Sequence, residues 1–175
     1  YDLNSSPEAD FSELGIELKV AGFKKNKNNT ISAKERLVLS KIDYCKIIEE
    51  EFEFSKLLFK NKKLLIIWYE YDYNNKDNYG DFEIKYYQLY NMGIDEDVFK
   101  NDFNIIKNKV LNGEAHLLSE GDTSYLGACT KGAKGTDITK QPNSSINAKP
   151  RAYSLKNAYM TGILRSIDFE SQIPA

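Results

Sequence analysis

Histidine is almost missing from this chain, and its scarcity removes whole classes of chemistry. His116 is the only one, so zinc sites and metal nucleases built on several imidazoles lack their ligands. A nucleophile–base arrangement would have to combine it with Ser119 and Glu120; a half-buried histidine at a helix end fits the local sequence better. Cysteine is nearly as scarce. Cys45 and Cys129 have neither pairing nor metal-ligand spacing, which excludes a disulfide framework and points to a reducing cytoplasm. No apolar run approaches the roughly 20 residues that span a bilayer; the longest, LLIIWY at 64–69, is strand-sized. Repeats, low-complexity linkers, a signal peptide and an initiating Met are likewise missing from the sequence, which reads as a single domain over 1–175 belonging to a longer protein.

Charge of one sign is also lacking, since the net value is only −2. The distribution is uneven, however. Residues 1–18 hold five acids and no base, 19–63 twelve bases against six acids, 64–123 five bases against twelve acids, and 124–165 seven bases against one acid. Two basic blocks around an acidic one suit a protein that grips a polyanion with one surface; ordinary surface variation is the competing reading.

What is present is a mixed α/β pattern with a central sheet. Ile16, Leu18 and Val20 alternate with Glu17, Lys19 and Ala21, the period of a strand over 14–23. RLVLSKI (36–42) predicts a second strand, and KLLIIWYEY (63–71) and FEIKYYQLY (82–90) two more, joined by the turn-rich DYNNKDNYG. The apolar spacing in 43–60 favours a helix. A clearer helix spans 95–111, opening on acids that suit the positive end of its dipole and stopping near Gly113. A strand or turn is expected at 123–129 and a final helix at 154–167. Most of the 12 Tyr and 9 Phe fall at core periodicity, and IIWYEYDY carries acidic rather than basic neighbours, unlike a stacking platform for single strands.

The stretch PEADFSELGIELK (7–19) concentrates the chemistry. Alternation puts Glu17 and Lys19 on one face, and the turn-like SELG folds Asp10 back toward them. Asp-x6-Glu-x-Lys suits metal-dependent phosphodiester hydrolysis. Carboxylates and the backbone carbonyl of Leu18 are hard oxygen ligands for Mg²⁺. The lysine helps to hold the attacking water and, as a neutral amine, to deprotonate it, or as an ammonium offsets transition-state charge. Spacing alone is weak evidence, because Glu-x-Lys arises by chance roughly once in a few hundred residues. DFEIK supplies a second copy, Glu83 and Lys85, with Asp81 and Asp77 upstream. Either triplet also reads as a surface ion pair. GACTKGAKGT fails as a phosphate-binding P-loop because Ala133 stands where lysine is needed; it reads as a basic loop touching phosphates or base edges, or as a plain surface loop.

These segments resemble the MutH family of DNA endonucleases. The likeness runs through PEADFSELGIELK, SYLGACTKGA and PRAYSLKNAYMTGILR, from residue 7 to about 165. SAKERLVL, LSEGDTSYLGACTKGA and RAYSLKNAYMTGILR look closer to the GATC-cutting type II restriction enzymes of that family. The resemblance implies a restriction-endonuclease-like core, Asp10 and Glu17 on Mg²⁺, and Lys19 on the water or phosphate. It adds a supporting lysine at the start of KNKKLLIIWYE, Lys62 in preference to Lys60. It places Lys131, flanked by Thr130 and Gly132, at a base-contacting position, although Cys129 and Thr130 stand where the repair enzyme has Arg-Pro. A second DNA-contacting segment holds Tyr153, Ser154 and Lys156, with Ser154 in the place of a methyl-sensing tyrosine. The implied partners are double-stranded DNA at GATC sites, a C-terminal MutH-like effector domain and a second copy on DNA.

Overall fold

The computed structural model describes residues 8–75 and 79–167. Two sheets organise the chain. The larger, of order β2-β1-β4-β5, contains β1 (Ile16–Lys25), β2 (Ile31–Ala33), β4 (Lys63–Glu70) and β5 (Ile84–Asn91). It is mixed: β1 runs parallel to β4 with Glu17 opposite Leu64 and Lys19 opposite Ile66, whereas β2 and β5 are antiparallel to their neighbours. The smaller sheet, of order β3-β7-β6, is antiparallel and contains β3 (Leu37–Lys41), β6 (Leu126–Thr130) and β7 (Arg151–Leu155). The strands expected at 14–23, 36–42, 63–71 and 82–90 are all present. The three-residue β2 was not legible beforehand; it follows a turn in which Asn29 adopts a left-handed conformation.

Alternation decides the faces of the larger sheet. Leu64, Ile66 and Trp68 of β4 are fully buried. Their β1 partners are Glu17, Lys19 and Ala21, so β1 turns its charged positions inward and leaves Val20 59% exposed. This reverses the usual apolar-in, polar-out rule for a half-buried strand.

Helix α3 (Glu96–Leu111) fills the helix expected there, with Phe99, Phe103, Ile106 and Val110 buried. Phe103 stacks on Tyr153 of β7 and meets Phe52 edge-on, which fastens α3 to the smaller sheet. Gly113 beyond it takes a positive φ of 74°, a conformation that favours glycine. The segment 43–60 is not one helix but two short ones, α1 (Tyr44–Ile47) and α2 (Lys56–Asn61). Asp43 caps the first by accepting from the Cys45 N–H, and Ser55, in an extended conformation, caps the second by accepting from Leu58. The helix expected at 154–167 is likewise shorter. Ser154 and Leu155 belong to β7, Lys156 is extended, and α4 spans Asn157–Arg165. Its side chains finish the open edge of β2: Asn157 donates to the Ala33 carbonyl, Arg165 donates to that of Ile31, and Thr161 accepts from the Ala33 N–H. An edge covered in this way does not recruit another strand.

Candidate active site

The turn before β1 builds the acidic corner. Ser12–Leu14 form one 3-10 turn, closed by Gly15 at φ +62°, and the Phe11 N–H donates to the Ile16 carbonyl. That tight return carries Asp10 back over β1, as SELG predicted. Its Oδ2 accepts from the Leu18 N–H at 3.0 Å, and its own N–H donates to Glu17 Oε2 at 3.2 Å. Lys19 Nζ stands 2.7 Å from Glu17 Oε1, so the expected trio converges. Pro7 and Asp77 lie outside the described residues.

Glu17 is buried to 3% exposure and is not left as an isolated charge. A second ammonium, that of Lys60 on α2, reaches within 3.6 Å of the same Oε1. Of the two lysines, the structure brings Lys60 to Glu17, whereas Lys62, the one preferred from the resemblance, is exposed at the end of α2. In a helix, residues two apart do not face the same way, so only one of the pair can reach the strand. Leu18 points its N–H at Asp10, and in an extended strand the carbonyl of a residue shares that edge. Two carboxylates and a carbonyl form an oxygen-donor set of the kind that Mg²⁺ accepts, since that ion retains waters and needs one or two carboxylates.

β2 pairs only with Phe23–Lys25, so Glu17–Ala21 has no strand on that side among the described residues. A cleft of about 480 Å³ opens beside it. Lys19 of β1, Arg36 and Val38 at the start of β3, and Cys129 and Thr130 of β6 line it. The structure thus brings Lys19 of the trio and Thr130, at the start of the expected reading loop, into one cleft.

In that loop Lys131 is exposed, and its N–H donates to the Pro150 carbonyl. Asp137 accepts from the Lys134 N–H and occupies the space beside Gly132 that a side chain would need. Buried Gln141 anchors the loop base by accepting from the Ala115 N–H and donating to the Ile146 carbonyl. Its amide also meets His116 Nδ1 at 3.0 Å, which makes that histidine a half-buried loop support. Glu120 pairs with Arg36 and Ser119 caps a 3-10 turn, so neither serves His116.

Tyr153 and Ser154, expected to contact DNA, are both buried. Both sit in the middle of β7, 4% and 0% exposed, and Tyr153 is spent on Phe103. A strand covered on both faces offers no side chain to DNA. Burial pushes the Tyr153 phenol well above its ordinary pKa. Lys156 is half-buried, and its ammonium donates to the Thr123 carbonyl.

One positioning residue escaped the sequence reading. Asp102 of α3 is fully buried and accepts from the backbone N–H groups of Ser124, Tyr125 and Leu126 at 2.6–2.9 Å. It fixes where β6 begins, and so where Thr130 and Lys131 end up. The signal was available: an acid on the same helix face as Phe99, Phe103 and Ile106 must have a buried partner.

The second Glu-x-Lys triplet lies at the start of β5. Glu83 is 75% exposed and its ion pair with Lys85 faces solvent, at the rim of a separate cavity of about 600 Å³. The hydrogen bond from Lys85 draws the Glu83 carboxyl below its ordinary value.

The geometry agrees with the comparisons. The family model described as DNA mismatch repair enzyme MutH matches residues 1–108. The type II restriction enzyme Sau3AI of Staphylococcus aureus is 46% identical over 163 residues, 93% of this chain. The chain spans about one third of the length of that relative, 33%. With the mixed sheet and helices in place, its architecture is the restriction-endonuclease-like one that the family implies. The chain belongs to the MutH family.

Proposed function

We propose that this chain is the catalytic unit of a Mg²⁺-dependent type II restriction endonuclease that recognises GATC in double-stranded DNA and hydrolyses its phosphodiester bonds. One observation carries the reading: Lys19 of the acid–lysine trio and Thr130, beside Lys131, line the same cleft. Asp10, Glu17 and the Leu18 carbonyl would hold Mg²⁺, which polarises the phosphate and lowers the pKa of a bound water. The other steps fall to the chain's own groups. Glu17 holds the Lys19 ammonium at 2.7 Å and the Lys60 ammonium at 3.6 Å. As water adds to phosphorus and the ester P–O bond breaks, negative charge builds on the phosphate oxygens. Two ammonium groups fixed beforehand offset it without reorganising. Lys131 contacts a base edge, while Lys134 and Lys140 hold phosphates; both of these flanking lysines lie on the exposed loop.

A further MutH-like domain and pairing of two copies on DNA belong to the same reading. The relative's greater length leaves room for the further domain. The test is cleavage of plasmid and of GATC-containing duplexes with Mg²⁺ present or chelated. Cutting at GATC that stops on chelation is expected; cutting without sequence preference, or none at all, would refute the proposal.

The family model's own description favours a second reading, a strand-nicking repair endonuclease. A methyl sensor needs a side chain at the adenine N6 edge, and Ser154 is buried in β7 with Tyr153 turned to the opposite face. Equal single-turnover rates on unmethylated, hemimethylated and fully methylated duplexes, with both strands cut, are expected. Nicking confined to the unmethylated strand of the hemimethylated duplex would restore the repair reading.

A further inference from the structure

Two stretches whose charged residues the catalytic reading leaves unused, SAKERLVL and LSEGDTS, meet at one point. Arg36, just before β3, forms an ion pair with Glu120, which opens the 3-10 turn Glu120–Asp122. The pair lies over the smaller sheet. A Cβ on Gly127 would stand 3.1 Å from Glu120 Oε1 and 3.2 Å from Ser154 Oγ, so the Glu120 carboxylate covers the space that glycine leaves. Beneath it the Ser154 hydroxyl is fully buried and has no hydrogen-bond partner among the described residues. Arg36 also lines the cleft that holds Lys19 and Thr130, with its side chain 42% exposed.

A surface ion pair of this exposure contributes little stability. Its placement is the informative part. A guanidinium carries five N–H donors, and Glu120 engages one terminal nitrogen, leaving others to face the cleft. The neighbouring carboxylate disfavours a phosphate in the same space, because the two anions repel. A guanine edge presents two neutral acceptors, O6 and N7, with the spacing of an arginine fork. We propose that Arg36 is a specificity-determining residue that donates to the O6/N7 edge of a guanine in the target duplex, and that Glu120 is the positioning residue that aims it. The inference rests on the DNA-cleaving reading above and adds to it a second base contact, in the cleft that Thr130 at the start of the Lys131 loop also lines.

The experiment is a binding cycle with Ca²⁺ in place of Mg²⁺, so that DNA is bound and not cut. Wild-type protein, Arg36→Ala, Arg36→Lys and Glu120→Gln are each titrated with a GATC duplex and with the same duplex carrying 7-deazaguanine, which lacks N7. Circular dichroism and melting curves establish that each exposed-site variant is folded. Wild type should lose roughly 10-fold or more on 7-deazaguanine, and Arg36→Ala should lose as much on the natural duplex but nothing further on the modified one. Arg36→Lys should behave like Arg36→Ala, because lysine keeps the charge and loses the fork. Glu120→Gln should lower discrimination between the two duplexes with the salt dependence unchanged.

Independent losses from the variant and the modified base overturn the inference. A uniform loss with a shallower salt slope, rescued by Arg36→Lys, overturns it in favour of a phosphate contact. Undiminished guanine discrimination in Arg36→Ala overturns it while the functional reading stands. Wild-type protein without preference for GATC overturns both.

Discussion

The chain contains the same triplet twice, and the two copies behave differently. Glu17–Lys19 and Glu83–Lys85 share spacing, strand setting and an ion pair between their members. Glu17 is 3% exposed, opposite Leu64 in a parallel pair, with Asp10 and Lys60 gathered round it. Glu83 points into solvent. Strand periodicity guarantees that i and i+2 share a face, but not which face is inward. The difference lies in what the neighbouring elements bring: a 3-10 turn that returns an aspartate, and a helix that delivers a second lysine. A motif becomes a site when its tertiary surroundings supply the remaining parts.

Mutations can break this contrast. The largest effect is expected at Asp10→Ala, Glu17→Ala and Lys19→Ala, each lowering the cleavage rate by about 10³-fold or more because the parts act as a unit. Duplex binding in Ca²⁺ should survive Lys19→Ala better than cleavage does, and rate and affinity measured on one preparation separate the two. Next, Lys60→Ala should cost about 10- to 100-fold in rate, as expected of a group acting beside the first set of ligands, and Lys62→Ala less than about twofold. Reversal of that order would return the supporting role to Lys62.

Smaller effects sharpen the comparison. Lys131→Ala should lower discrimination between GATC and single-base variants by about 1–3 kcal/mol. Lys134→Ala and Lys140→Ala should weaken all duplexes alike and reduce the salt slope by about one each. The smallest effect belongs to the solvent-facing triplet: Glu83→Ala with Lys85→Ala should cleave at the wild-type rate. Its carboxyl is held below the ordinary value by the Lys85 hydrogen bond. Any stability it adds is therefore present above the normal carboxylate range and lost as pH falls through the lowered value. Melting curves of Glu83→Gln and wild type should converge in acid.

How much of this was legible beforehand follows the same division. Period-two alternation located β1, β4 and β5, and 3.6-residue spacing with acids at the N-terminus located α3. The trio at Asp10, Glu17 and Lys19 was legible because the turn and the strand are both local. Resemblance, not spacing, singled it out from its copy. What was not legible depends on contacts distant in sequence. Ser55 splits 43–60 by capping a second helix. Ser154 is buried on a sheet face where Glu120, from a turn distant in sequence, lies over Gly127. Lys60 outranks Lys62 only because α2 meets β1 at one rotation. Arg36 and Glu120, 84 positions apart, find each other through the smaller sheet.

The inward-facing acid of β1 has a consequence for inheritance. A carboxylate that occupies a core position between Lys19 and Lys60 is retained at the expense of stability, and replacing a buried ionic cluster by well-packed apolar residues often stabilises a protein by about 1–4 kcal/mol. Losing cleavage by such replacements at Glu17, Lys19 and Lys60 is then thermodynamically downhill. If the proposed cleavage is what selection maintains, relaxing it leaves stability to favour inert forms, and an engineered Glu17→Met, Lys19→Leu, Lys60→Leu chain should melt above its parent.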